Sequence, residues 1–152
     1  MVRKSNNTAL NILCSNQNTG LLDNQLSKSV TFVAATTGAV GTFKIVGITG
    51  TVALSIFGIC TVNSAGTGTI EVGTALSTAG LIAQVNCNAF TAGEIWHDNS
   101  PDSSIELTSV ITKNIVTQDV AHKITTNTMS AGAITFYILW SPISPDGLVE
   151  LA

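Results

Sequence analysis

The chain has 152 residues, of which 45% are hydrophobic and only 10% charged, with a mean hydropathy of +0.42 and a formal net charge of −3. A length of this order is one domain, able to bury roughly 70% of its unfolded surface. No Lys/Arg cluster interleaved with aromatics is present, which argues against a nucleic-acid partner. No apolar run reaches the length of about 18 residues needed for a membrane span, and no signal-type apolar core stands near residue 1, so the sequence predicts a chain made and kept in the cytoplasm.

Typical globular chains carry about 25% charged residues. A surface this sparsely charged is poorly protected against association, which predicts that much of it is covered by sister copies or by a larger assembly. The charge is also uneven: residues 1–28 carry Arg3, Lys4 and Lys28 against Asp23, whereas residues 29–152 carry three lysines against eight carboxylates. A cationic segment thus precedes an acidic body. Residues 1–28 are rich in Asn and Ser, hold only two short apolar pieces and sustain neither a helix nor a strand period, which predicts an extended arm ordered against a neighbour.

From Ser29 the pattern changes to short β-rich runs separated by Gly, Asn, Ser and Asp, the spacing of a sandwich or barrel. Strands are predicted over 29–34, 40–48, 52–62, 68–73, 81–86, 104–108, 114–116, 121–126, 133–140 and 148–151. Residues 52–62 are apolar on nearly both faces, with Gly58 marking a bulge or a close backbone contact. The segment Thr74 to Gly80 has too much Thr and Gly for a stable helix. In 133–140, Ile134, Phe136, Ile138 and Trp140 fall on one side and Tyr137 and Leu139 on the other, so this strand should be central or covered on both faces. The turn-rich Ser141-Pro142-Ile143-Ser144-Pro145-Asp146-Gly147 ends it. Tyr137, Leu139 and Trp140 are the candidate contacts between subunits.

Chemistry is thinly represented. Cys14, Cys60 and Cys87 are odd in number and widely spaced, without CxxC or a histidine pair, which predicts reduced structural thiols. Gly38-Ala39-Val40-Gly41 is not followed by a helix or a Lys-Ser/Thr pair, so it is no phosphate loop. No serine sits in a Gly-x-Ser-x-Gly elbow, and His122, beside Lys123 in a strand, suits a solvent-facing or interface position better than general-base work. The densest polar stretch is Glu94-Ile95-Trp96-His97-Asp98-Asn99-Ser100-Pro101-Asp102, with Glu106 beyond it. Oxygen-rich loops can hold Ca²⁺, and a His among carboxylates can join a transition-metal site. The spacing matches no ligand loop, however, and Asn99-Ser100-Pro101-Asp102 is turn sequence in its own right. Glu94, Trp96, Asp98 and Asp102 are therefore read as a structural loop, with Trp96 packing over the sheet edge, no catalytic residue, no metal and no cofactor.

Gly38-Ala39-Val40-Gly41, the run from Phe43 to Val52, Phe57-Gly58-Ile59-Cys60, Thr69-Ile70-Glu71-Val72-Gly73, Leu81-Ile82-Ala83-Gln84, Glu94-Ile95-Trp96-His97-Asp98 and the ending Trp140-x-Pro142-x-Ser144-x-Asp146-Gly147-x-Val149 together resemble a group of small virion-associated proteins of tailed bacteriophages. The resemblance spans residues 36–152 and leaves 1–28 outside. It implies a non-enzymatic part of the particle, with capsid decoration or cement proteins the nearest match in size and composition. The fold expected is an antiparallel β-sandwich of jelly-roll type over 29–152 with an N-terminal arm. The partners implied are the major capsid protein and sister copies, a trimer before a dimer, on the capsid surface of particles assembled in the host cytoplasm. In that setting Arg3, Lys4, Leu10, Ile12 and Leu13 would form the capsid-binding arm. A tail, fibre or head-completion component, or a glycan-binding adhesin module, are the alternatives.

Overall fold

The computed structural model describes residues 24–152. Among them there is no α-helix, and ten strands form two five-stranded antiparallel sheets that close on one hydrophobic core as a β-sandwich. The strands are β1 (Asn24–Thr31), β2 (Gly41–Thr49), β3 (Val52–Gly66), β4 (Thr69–Gly73), β5 (Ile82–Asn86), β6 (Ile95–Trp96), β7 (Asn114–Val116), β8 (Val120–Thr125), β9 (Met129–Pro142) and β10 (Leu148–Leu151). In the first sheet β9 lies between β1 and β3, and the other edge of β3 pairs with β7 near Val52 and with β6 near Gly58. The second sheet runs β10, β2, β8, β4, β5.

The two strands apolar on both faces, β3 and β9, pair with one another at the centre of the first sheet, from Val52↔Pro142 to Gly66↔Met129. Period-two alternation then sends Val52, Leu54, Ile56 and Cys60 of β3, and Ile134, Phe136, Ile138 and Trp140 of β9, into the core. Ile45, Val46, Ile70, Val72, Val120 and Ile124 of the second sheet meet them. Each such side chain withdrawn from water stabilises the fold by about 1.5–3 kcal/mol. Gly58 is a close-contact position: a Cβ there would lie 2.8 Å from Ile134 Cγ2 and 3.6 Å from Trp96 Cε3.

Several expectations are corrected. The arm boundary at Lys28 is too late, because β1 begins at Asn24 and pairs with β9 from Asn24↔Trp140 to Thr31↔Ala133. Lys28 ties the sheets together, its Nζ donating to the backbone oxygens of Lys44 at 2.7 Å and Ala152 at 2.9 Å. Residues 104–108 form no strand; their alternation places Ile105 and Leu107 in solvent with no face to cover them, and a 3₁₀ turn follows over Thr108–Val110. The two-residue β6 is too short to carry a period and was not legible. Trp140 points into the core, since it shares the parity of Phe136 and Ile138, and is therefore not an interface residue.

His122 is buried, against the expectation of a solvent-facing or interface residue. It shares the inward parity of Val120 and Ile124, and its ring stacks on Phe43 at 5.2 Å and Phe136 at 6.0 Å with Phe32 edge-on at 5.6 Å. Neither ring nitrogen is hydrogen-bonded to protein, and burial pushes its pKa down to about 4. The Thr37 backbone lies near enough to oppose that shift in part, outside hydrogen-bonding geometry. Burial likewise raises the pKa of the Cys60 thiol and pushes that of Cys87 up to about 11.

Two predictions follow from these buried groups. The folded chain keeps His122 neutral while the unfolded chain protonates it near pH 6.5, so between those values the unfolded state binds more protons and stability falls as pH falls from 6.5 towards 4. This contribution is about 3 kcal/mol in full. His122→Leu, close in volume, removes it: urea midpoints at pH 7 and pH 4.5 should lie nearer together in the variant, and an unchanged spacing would refute the assignment. Second, because the thiolate is the reactive form, an alkylating reagent at pH 8 should spare Cys60 and Cys87 in native protein and find three free thiols, Cys14 included, after denaturation.

Candidate functional site

Two regions concentrate the side chains singled out above. The first is the segment between β6 and β7. Trp96 is fully buried across from Gly58, edge-on to Phe90 at 5.0 Å and tilted against Phe136 at 6.2 Å. It packs inside the sandwich, a correction to the sheet-edge position expected for it. The missing Cβ at Gly58 makes room for Ile134, which would lie 2.8 Å from it, with the indole in ordinary contact at 3.6 Å. Its Nε1 donates to the Asp98 carbonyl at 2.8 Å, which holds the backbone just after the strand. Ile95 and Asp102 exchange backbone hydrogen bonds of 2.9 and 3.3 Å, which fixes Asp102 beside the same strand. Asp98 Oδ1 accepts the Ser100 N–H at 2.9 Å, and Glu94 Oε2 accepts the Thr91 N–H at 2.6 Å, so both are bound within turns.

His97 follows Trp96 and lies under this turn with only 9% of its side chain exposed. Its Nδ1 stands 4.0 Å from Asp98 Oδ2 and its Nε2 stands 3.9 Å from Glu106 Oε2. Both distances are too long for hydrogen bonds, and buried Nε2 has no partner. A donor atom from each of His97, Asp98 and Asp102 lies within 4.8 Å of the others. Sequence spacing could not show this, because the backbone bridge from Ile95 to Asp102 and the 3₁₀ turn beyond Glu106 set the approach.

The second region is the outer face of the first sheet. Tyr137 stacks on Phe57 of β3 at 5.4 Å, an apposition set by the register Phe57↔Tyr137. Leu139 and Ile59 flank the pair, and Ile95 of β6 and exposed Ile115 of β7 extend it. Ser29 and Thr135 share a hydrogen bond of 2.8 Å on the β1 side. By strand parity this face presents Gln25, Ser27 and Ser29 of β1, Thr135, Tyr137 and Leu139 of β9 and Ala53, Ser55, Phe57 and Ile59 of β3, none of them charged. Tyr137 and Leu139 thus stand where the sequence placed them, half-buried. Phe57, Ile59 and Ile115 were missed as their neighbours, because only the cross-strand register brings them together.

The outer face of the second sheet differs in charge. Lys44 and Asp119 pair at 2.5 Å beside Lys123, around a hollow of about 490 Å³ also lined by Thr42, Gly73 and Thr78. The Lys44 hydrogen bond, with help from the Ile48 N–H, holds the Asp119 carboxyl below its usual range. Lysine, aspartate and threonine without an activated nucleophile give this hollow no evident chemistry. Both tryptophans are buried, so among the described residues Phe57 and Tyr137 are the aromatic surface of the first sheet. The arm residues Arg3, Lys4, Leu10, Ile12 and Leu13 lie outside the described residues. No protein-family model, curated protein or solved structure matches the chain significantly.

Proposed function

We propose that this chain works by assembly, as a non-enzymatic structural subunit, and that within this class it is a decoration or cement protein on the head of a tailed phage. One observation supports the assembly reading above others: the β1, β9 and β3 positions on the outer face of the first sheet include no charged residue and, with Ile115 of β7, present Phe57, Tyr137, Leu139 and Ile59, while the second sheet's outer face carries Lys44, Asp119 and Lys123. A half-buried apolar sheet face, with Ile115 exposed beside it and polar residues at its rim, is suited to a protein interface. The narrower phage reading draws its support from the resemblance over residues 36–152.

Strand order supports the jelly-roll winding. β1, β3 and β9 lie in one sheet with β6 and β7, whereas β2, β4, β5 and β8 lie in the other, so the chain crosses between sheets repeatedly, as two interlocked Greek keys require. Such a sandwich offers one broad face to sister copies while residues 1–23 supply the cationic attachment to the major capsid protein. Many modest contacts spread over a shell give avidity that no single one provides.

The protein at micromolar concentration should sediment as a closed oligomer, a trimer first and a dimer second. Leu139→Lys combined with Ile59→Lys should convert it to a monomer with unchanged far-ultraviolet circular dichroism. Wild-type protein that sediments as a monomer would overturn the assembly reading. The decoration reading is tested by adding the protein to particles that lack it and imaging them: density spread over the shell supports decoration, density at a single vertex replaces it with the tail or head-completion alternative, and no density overturns both.

A further inference from the structure

We propose that His97, Asp98 and Asp102 bind one divalent transition-metal ion of the Zn²⁺ type, with Glu106 holding the far side of the imidazole. This inference is independent of the assembly reading above and departs from the sequence expectation of a metal-free loop.

Three features of the loop point to a ligand. The donors converge, with one atom from each of the three residues within 4.8 Å of the others, and an ion with bonds of about 2.1 Å would draw each of them inward by less than about 1 Å. The convergence is built in by separate anchors. Trp96 Nε1 pins Asp98 through its carbonyl, and the paired backbone bonds with Ile95 pin Asp102. The Ser100 N–H occupies Asp98 Oδ1, which leaves Oδ2 turned towards the imidazole. The third feature is His97 itself. Its side chain is more than nine-tenths buried, yet its Nε2 has no hydrogen-bond partner and its Nδ1 faces Asp98 at a non-bonding 4.0 Å. Buried polar groups are nearly always satisfied, and an ion on Nδ1 would fix the proton on Nε2 facing Glu106, so that both nitrogens of this imidazole gain a partner when the ion binds.

The two ring nitrogens divide the work. Nδ1, on the side of Asp98, is the donor to the ion, and Nε2 then keeps the proton, which the Glu106 carboxylate would accept on closing in from 3.9 Å. A carboxylate behind a ligating histidine fixes the tautomer and strengthens the ligand. One imidazole with two carboxylates suits Zn²⁺ or Mn²⁺ better than Ca²⁺, which asks for six to eight oxygens. Water completes the coordination. The ion would fasten the segment between β6 and β7, whose exposed Ile105 and Leu107 have no apolar cover of their own.

The test uses the full chain, dialysed free of metal and titrated with Zn²⁺ and separately with Ca²⁺, stoichiometry being checked by elemental analysis. One Zn²⁺ per chain is expected, with protection of the loop from proteolysis. Asp98→Asn, Asp102→Asn and His97→Gln should each weaken binding at least tenfold, and Glu106→Gln should weaken it about 10- to 100-fold with the stoichiometry retained. The asparagines keep the loop's backbone bonds, and circular dichroism checks that each variant is folded. Cys14→Ser and His122→Leu should bind as the wild type does. The proposal is overturned if no Zn²⁺ is retained at micromolar concentration, if the three ligand variants bind as tightly as the wild type, if binding is lost with Cys14→Ser, or if Ca²⁺ is preferred.

Discussion

The antiparallel pairing of β3 with β9, held from Val52↔Pro142 to Gly66↔Met129, is the constraint on which the other features depend. Both strands are apolar on two faces, so neither can lie at the rim of a sheet without exposing one of them. Placed side by side, they send Leu54, Ile56, Phe136 and Ile138 inward and leave Phe57 stacked on Tyr137 outside. β1 then covers the free edge of β9, while β6 and β7 cover that of β3. A slip of one residue in this register would exchange the two faces along the whole pair.

The same pairing positions the loop. Gly58 lies opposite Phe136 in β3–β9 and opposite Trp96 in β3–β6, and its missing side chain lets Ile134 pack close while the indole rests in ordinary contact. The indole N–H then finds the Asp98 carbonyl, so a hydrophobic anchor in the core sets the backbone of the most polar segment of the chain. His97, between a buried tryptophan and a tethered aspartate, has little freedom to turn towards solvent. Packing in the interior and the arrangement of the imidazole and carboxylates outside it are thus one structural fact.

The sandwich divides its outer surfaces by charge. The face of the second sheet carries the Lys44–Asp119 pair and Lys123, which keep it hydrated, whereas the β1, β9 and β3 positions on the face of the first carry hydroxyl, amide and apolar side chains. A chain with 10% charged residues cannot cover both faces with charge, and the strands β1, β3 and β9 are left without it on their outer side. The buried His122 belongs to the same economy of polar groups: among Phe32, Phe43 and Phe136 it behaves as a flat aromatic filler, at the cost of acid sensitivity.

The sequence by itself determined the fold class and most strand positions, because period-two alternation and Gly, Asn and Pro punctuation are local signals. The spans 114–116 and 148–151 coincide with β7 and β10, and the two-faced character of 52–62 and 133–140 is what makes those segments central. It also placed Trp140 and Tyr137 on opposite faces, although only burial showed that the parity of Trp140 removes it from the surface. Local patterns failed where a position is decided by something distant. The two residues of β6 are ordered by Gly58 and Ile59, β1 reaches back to Asn24 because β9 continues to Trp140, and His122 is inward because its strand neighbours are. The approach of His97 to Asp98, Asp102 and Glu106, like the meeting of Phe57 with Tyr137, exists only after the chain has closed on itself. The register between β3 and β9 creates the second, and the backbone bridge that turns the chain back from Ile95 to Asp102 creates the first, so both depend on backbone pairing and not on residue spacing alone.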